Sequence, residues 1–214
     1  MSFLDALLDR DDELAAGSRL FGLVIGVVTD NKDTGSLGRV MVRFPWLGDT
    51  VLSHWARIAA PHGVYFLPEK NDEVLLAFQH GDPRFPYVLG VLWNGVDRPP
   101  ATNDDGKNDL RLIRSRSGHV VRLNDKDGHE TIEIVDKSGK NSIVIDTASG
   151  KLTITAGKDI ALVAKQGTIS LDAKQIRLAS SAATAIDARA GMDVTAGGKL
   201  KIKGAPVDIN PPGS

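Results

Sequence analysis

Between Thr131 and Ile209 the chain repeats one motif, two apolar residues flanking a single other residue. The pairs are Ile132/Ile134, Ile143/Ile145, Leu152/Ile154, Ile160/Leu162, Ile169/Leu171, Ile176/Leu178, Met192/Val194, Leu200/Ile202 and Val207/Ile209. Their first residues step by 11, 9, 8, 9, 7, 16, 8 and 7, and a weaker pair, Thr184/Ile186, divides the step of 16. An internal repeat dictates architecture before local propensity does. Each pair reads as a short strand with both apolar side chains on one face, because side chains alternate at period two. A repeat of about eight residues is even, so the same face returns inward each time. Between the pairs stand Gly, Lys, Asp, Ser and Thr, as in Ser149-Gly150-Lys151 and Ala196-Gly197-Gly198-Lys199, which can turn and face water.

A strand with two inward aliphatic side chains cannot bury them alone, and it is an open edge. A single-chain solenoid encloses its core with rungs of roughly 20 residues or more. Eight residues cover one side of a narrow prism, and three chains supply three sides. The pattern therefore predicts an intertwined trimeric β-helix needle over residues 131–214, with the pairs from Ile132 to Ile202 as its core. Stacking ten strands per face at about 4.8 Å gives a shaft on the order of 50 Å long. The lysines and arginines between the pairs, such as Lys151, Lys158, Lys174, Arg177 and Lys199, read as its solvated outer face.

Residues 20–94 carry a different pattern. Five short strands are predicted, at Phe21–Thr29, Arg39–Phe44, Ser53–Ile58, Glu73–Gln79 and Tyr87–Leu92, punctuated by Gly35, Gly38, Gly48, Gly63, Gly81 and the turn Asp82-Pro83. Five strands in so short a span suggest a small barrel of the oligonucleotide/oligosaccharide-binding (OB) type. Ahead of it, Phe3, Leu4, Leu7, Leu8 and Leu14 recur at helical spacing after a capping Ser2. Residues 1–19 therefore read as a short helical arm that docks on a neighbour, or as a frayed tail. Residues 95–109, rich in Pro, Gly and short polar residues, form a linker. Residues 110–130 read as a pair of transition strands with turns at Ser117-Gly118 and Asp127-Gly128. The expected fold is all-β: an N-terminal OB-fold barrel, then the C-terminal needle, with one short N-terminal helix.

Composition sharpens this division. All 3 Trp, 2 Tyr and 6 Phe lie before residue 94. The first part can build a compact core, whereas the rest must pack aliphatic residues into something thin. Lys+Arg is 26 and Asp+Glu 27, a balance unlike that of a general nucleic-acid binder. The absence of cysteine excludes disulfides and thiolate metal sites. No run is long and apolar enough for a transmembrane helix. The first residues lack the basic region of a secretory signal, so synthesis in the cytoplasm is expected.

Within the barrel region, Gly38-Arg39-Val40-Met41-Val42-Arg43-Phe44-Pro45-Trp46 resembles the "GRV-x-V-x-FPW" segment of VgrG and phage baseplate-spike proteins. Ser53-His54-Trp55-Ala56-Arg57-Ile58 resembles the family's "S-x-W-x-R-V" strand. Pro68-Glu69-Lys70-Asn71-Asp72-Glu73-Val74 resembles its "P-x-x-GDEV" turn, with Asn71 in place of Gly; Asn also accepts left-handed geometry. Gly81-Asp82-Pro83-Arg84-Phe85-Pro86 and Gly90-Val91-Leu92-Trp93-Asn94 are similar to its "GDP-x-x-P" and "G-x-x-x-N" ends. Residues 117–130 look like its "SGH-x-x-x-x-DD-x-x-G-x-E" entry to the needle.

The resemblance implies a trimeric platform carrying an intertwined β-helix. It implies the central spike of a contractile injection machine, whether phage tail, tailocin or related particle, that caps the tube and hub and punctures the target envelope. Full VgrG proteins have a large hub domain before the barrel, where this chain has about 19 residues. A separate hub protein is therefore expected, as with phage baseplate assembly protein V, gripped by Phe3, Leu4, Leu7 and Leu8. Some family spikes end in a metal-binding His-x-His tip, which is absent here. The terminal Val207, Asp208, Ile209, Asn210, Pro211 and Pro212 instead resemble a platform for a PAAR-type tip protein. The expected partners are two further copies, the hub protein, the tip protein, the tail tube indirectly and the target envelope transiently. The particle would assemble in the bacterial cytoplasm and act at the target envelope.

Chemistry offers little against this reading. His54, His62, His80, His119 and His129 are scattered without metal-ligand spacing. Asp125-Lys126-Asp127-Gly128 lacks the later ligands of a calcium loop and reads as a hairpin turn. No nucleophile elbow is present. No catalytic residue, cofactor or metal is expected. Two rivals remain: a trimeric β-helix enzyme on envelope polysaccharide, which needs aromatic sugar platforms, and a nucleic-acid-binding barrel, which needs basic and stacking residues on one face.

Overall fold

The computed structural model describes residues 19–47 and 51–207. The predicted arm with Phe3, Leu4, Leu7 and Leu8, and the terminal Asp208, Ile209, Asn210, Pro211 and Pro212, lie outside the described residues.

Alternation in the first part builds a five-stranded sheet. Its strands are β1 (Val24–Asp30), β2 (Met41–Arg43), β3 (Arg57–Ile58), β4 (Glu73–Phe78) and β5 (Pro86–Val91). In β4, Val74, Leu76 and Phe78 are buried and the residues between them are not, as period two requires for one face on a core. The sheet order is β2-β1-β4-β5-β3. All ladders are antiparallel except β3 with β5. Isolated bridges Val40–Ala56 and Arg43–Leu52 join β2 to the segment before β3 and close the sheet on itself. This is the order of an OB-type barrel.

The predicted third strand, Ser53–Ile58, is regular only at its end, because Ser53 intrudes on the ladder. The Ser53 N–H donates to the Val42 carbonyl at 2.7 Å, while the Val42 N–H donates to Ser53 Oγ at 3.0 Å rather than to a backbone oxygen. The core comprises Val28, Val40, Val42, Phe44, Ala56, Val74, Leu76, Phe78 and Val88. Gly26 is required where β1 meets β2, since a Cβ there would fall 2.3 Å from Val42 Cγ1.

Past residues 92–109, which contain no strand, lies a second sheet. It is an antiparallel meander of β6 (Leu110–Arg114), β7 (Val120–Asn124), β8 (Thr131–Val135), β9 (Ser142–Asp146) and β10 (Lys151–Thr155), in chain order. The transition strands and the first three apolar pairs thus belong to one sheet, with pairing inside the chain. Tight turns cause this. Gly118, Gly128, Gly139 and Gly150 all have positive φ, from +63° to +98°, a conformation costly to residues with a Cβ. They reverse the chain between each strand and the next, and the longest single step, the 11 from Ile132 to Ile143, spans one of these turns.

The chain divides into two units, Met1–Asp159 and Ile160–Ser214. The second, over its described residues, has no assigned strand or helix. Its backbone bends at 165–167, 174, 181–182, 189–190, 197–198 and 205–206. These bends fall between the apolar pairs, so the beat read from side chains is also a beat of the backbone. Thr184/Ile186 sits between two of them and occupies a repeat of its own. No helix among the described residues is long and apolar enough to cross a membrane.

Candidate interaction surfaces

One face of the meander is almost entirely aliphatic. Cross-strand register places Ile113, Val121, Ile134, Ile143 and Ile154 directly opposite one another in a single row. A second row runs Leu123, Ile132, Ile145, Leu152. These nine side chains are 40% to 61% exposed. Contiguous apolar surface of this kind marks an interaction site on a folded protein. The sequence-predicted core residues Ile132, Ile134, Ile143, Ile145, Leu152 and Ile154 therefore share one surface, and within one chain they form an open face rather than a buried core. Val121, Leu123 and Ile113 extend that face, although the sequence presents their strands only as a transition. Period two in β6 and β7 is the signal that finds them.

The opposite face is polar and tied together. Leu112, Arg122, Glu133, Val144 and Thr153 form its central row. Arg122 donates from Nε and Nη2 to Glu133 Oε2, and Thr131 Oγ1 donates to Glu133 Oε1 at 2.9 Å. Partial burial pushes the Glu133 carboxyl up, but the hydrogen bonds from Arg122 and Thr131 outweigh it and hold the group below its ordinary value. At the outer edge of the aliphatic face, Arg111 stands opposite Leu123 and pairs with Asp125 at 2.9 Å. The two faces thus differ in kind, one tied by polar side chains along its central row and one aliphatic except at its β6 edge.

The turns are capped by carboxylates. Asp136 accepts from Ser138 Oγ at 2.8 Å and 2.9 Å, from Asn141 Nδ2 at 2.8 Å and from the Asn141 N–H at 3.2 Å. The Ser138 and Asn141 bonds pull its pKa down to about 2. Asp146 accepts from the Ser149 N–H at 2.9 Å, which likewise lowers it. In the barrel, Asp33 clamps the β1–β2 loop, accepting from Arg39 Nε at 2.8 Å, Arg39 Nη2 at 2.9 Å and the Gly35 N–H at 2.9 Å. The Arg39 bonds hold Asp33 well below the usual carboxylate range. Arg116 reaches from the β6–β7 turn to Glu69 of the barrel at 3.3 Å. These groups shape loops and turns.

In the second unit the other predicted core residues are Ile160, Leu162, Ile169, Leu171, Ile176, Leu178, Met192, Val194, Leu200 and Ile202. Within one chain they are not a core: all ten are exposed, by 51% to 75%. The physical reason is that the backbone carrying them forms no strand and no packed layer among the described residues. The second member is the more open one in every pair. Leu162, Leu171, Leu178, Val194 and Ile202 are each more exposed than Ile160, Ile169, Ile176, Met192 and Leu200 before them. Val207, the described member of the predicted tip-binding group, is 46% exposed. Around the barrel, Phe21, Trp46, Tyr65, Phe66, Phe85 and Trp93 also face outward. An open hollow of about 430 Å³ brings His129 and Asp146 together with Thr131 and Ser149, at the turns of the meander. No group of three or more His, Cys, Asp or Glu able to hold a metal occurs among the described residues.

Residues 24–93, which span the barrel strands, match the family of the type VI secretion system/phage-baseplate injector OB domain. The chain is 30% identical over 111 residues to the type VI secretion system spike protein VgrG2a of Pseudomonas aeruginosa, an alignment covering 48% of this chain and 13% of that protein. It is 27% identical over 97 residues to the spike protein VgrG3 of Vibrio cholerae, covering 41% of this chain and 10% of the relative. It is also 30% identical over 79 residues to the actin cross-linking toxin VgrG1 of Vibrio cholerae, covering 33% and 7%. The chain thus spans about a tenth of the length of these curated relatives. Barrel topology and sequence matches together make this all-β chain similar, through its OB domain, to spike proteins of the VgrG and baseplate type.

Proposed function

We propose that this chain is the central spike of a contractile injection machine, acting as a homotrimer that caps the tube and hub and punctures a target envelope. The observation that carries the proposal is the exposure of the apolar pairs on both sides of Asp159. Nine aliphatic side chains line one face of the meander, and the pairs from Ile160/Leu162 to Leu200/Ile202 stand open between regularly spaced bends. Two further copies of the same strand, each offering the same inward pair, would cover the repeats without any aromatic residue. In this reading residues 110–155 form a prism of three meanders with their aliphatic faces inward. Residues 156–207 then wind with their counterparts into the needle, and the ten residues left open in one chain become its interior. A dry aliphatic core beneath a polar exterior makes a stiff rod, which suits mechanical work and requires no cofactor.

The arm with Phe3, Leu4, Leu7 and Leu8 is the proposed grip on a hub protein. Val207 to Pro212 form the proposed seat for a PAAR-type tip. The chain contributes structure rather than catalysis. The rival polysaccharide-cleaving enzyme draws less support, because the repeat carries no aromatic sugar platform.

The native chain has no cysteine, which permits a direct test of the needle. Ile169→Cys and Ser170→Cys place single thiols on the inward and outward positions of one repeat. In an intertwined trimer the Ile169→Cys thiol resists maleimide until the protein is denatured, while the Ser170→Cys thiol reacts at once. Equal, immediate labelling of both would refute the needle.

A further inference from the structure

The pair Leu200/Ile202 differs from the others in its outward positions. With the pairs as strands of the proposed trimer, three residues around each point away from the apolar face: the one before, the one between and the one after. For the clear pairs from Ile160/Leu162 to Met192/Val194 these positions hold at most one charge, supplied by Asp159, Asp172, Arg177 or Asp193. Around Leu200/Ile202 all three are lysines, Lys199, Lys201 and Lys203. All three are exposed, and none joins an ion pair among the described residues.

Unpaired like charges at alternate positions repel one another, and threefold repetition around one rung compounds the repulsion. A fully solvated outer face does not require this arrangement, since the neighbouring repeats manage with Thr, Ser, Ala and isolated charges. An anionic surface that enters the ring would offset the repulsion. Lysine suits phosphate as a compact point charge without bidentate geometry. The absence of aromatic residues after Trp93 removes the stacking platforms that single-stranded nucleic acid requires.

We propose that Lys199, Lys201 and Lys203 form a basic collar that engages the phosphate headgroups of an anionic membrane surface. The inference rests on the trimeric-spike reading and names the residues and the chemistry of its contact with the envelope. A shaft that crosses an envelope slides its flank along the headgroup layer, where juxtaposed lysines are attracted and the attraction decays within a Debye length of about 10 Å at moderate salt.

The test is co-sedimentation of the full chain with phosphatidylglycerol-containing vesicles and with pure phosphatidylcholine vesicles. The chain is expected to pellet with the anionic vesicles alone, less as salt rises. The variant Lys199→Gln/Lys201→Gln/Lys203→Gln is expected to bind about tenfold more weakly or worse. The control Lys158→Gln/Lys165→Gln/Lys174→Gln, which removes the same charge from other repeats, is expected to bind nearly as well as the native chain. Equal losses in the two variants overturn the collar. So does tighter capture by a single-stranded oligonucleotide than by the vesicles. The mass of the same samples separates the two proposals: a trimer indifferent to anionic vesicles overturns the collar and leaves the spike standing, and a monomer overturns both.

Discussion

Ile134 and Ile143 stand directly opposite each other across β8 and β9, and neither is covered within the chain. The pair lies mid-row on a face that is aliphatic apart from Arg111 at its edge. A strongly apolar sheet face is stable in water only against a partner. In the trimeric account both residues point into the shared core. Ile134→Asp would then bury a carboxylate without a counter-ion, at several kcal/mol per copy. The expected result is loss of the trimer, read as a fall in mass and heat resistance. Thr153→Asp, on the opposite face, is expected to leave the assembly intact.

The barrel should behave as an independent core. Leu76 is fully buried among Val28, Val42, Val74 and Val88. Leu76→Ala removes three carbons and leaves a cavity, so a loss of about 3 kcal/mol is expected. Trp46, Trp55 and Trp93 all lie in or beside the barrel, so tryptophan fluorescence during chemical denaturation reports this unit. A loss below about 1 kcal/mol would mean that the site collapses around the gap.

Acid should loosen the β8–β9 turn before it loosens the strands. Asp136 has its pKa pulled down to about 2 by Ser138 and Asn141. A depressed folded value means that the stabilisation is fully present above the unfolded value of about 3.9 and disappears as pH falls towards the folded one. Amide exchange in residues 136–141 is expected to accelerate as pH drops from about 4 to about 2, after correction for intrinsic rates. Asp136→Asn should flatten that dependence, and an unchanged profile in this variant would assign the effect to other carboxylates.

Truncation separates the contributions of the two sheets. A chain ending at Asp109 retains the barrel strands and the linker and loses every exposed aliphatic row of the meander. It is expected to fold, with its tryptophans in their native environment, but as a much less heat-resistant trimer or none. Heat resistance equal to that of the full chain would show that the barrel, and not the repeat, holds the copies together.

Much of this architecture was legible in the residues because two periodicities fall in separate stretches. Alternation in Val74-Leu75-Leu76-Ala77-Phe78 and Val40-Met41-Val42 located barrel strands to within a residue or two. The eight-residue beat located the repeat and even its weakest member, Thr184/Ile186. What the pattern did not reveal was a change of pairing partner midway. Ile143/Ile145 and Ile169/Leu171 look alike as pairs, yet the first lies on a hairpin-connected strand and the second on backbone with no strand partner among the described residues. The difference lies in the connections. Gly139 and Gly150 adopt positive φ, and Asp136 and Asp146 cap the turns, so the chain folds back on itself. Ser53 was equally silent, because only geometry shows a side-chain oxygen standing in for a backbone carbonyl.

The central claim is that three copies of this chain close one another's apolar rows, and light scattering on the purified full-length protein tests it most directly. One chain weighs 22.9 kDa. A mass of about 69 kDa that persists on dilution is the expected result, equal to three chains. A mass of 22.9 kDa would contradict the needle, the prism of meanders and the puncturing role together.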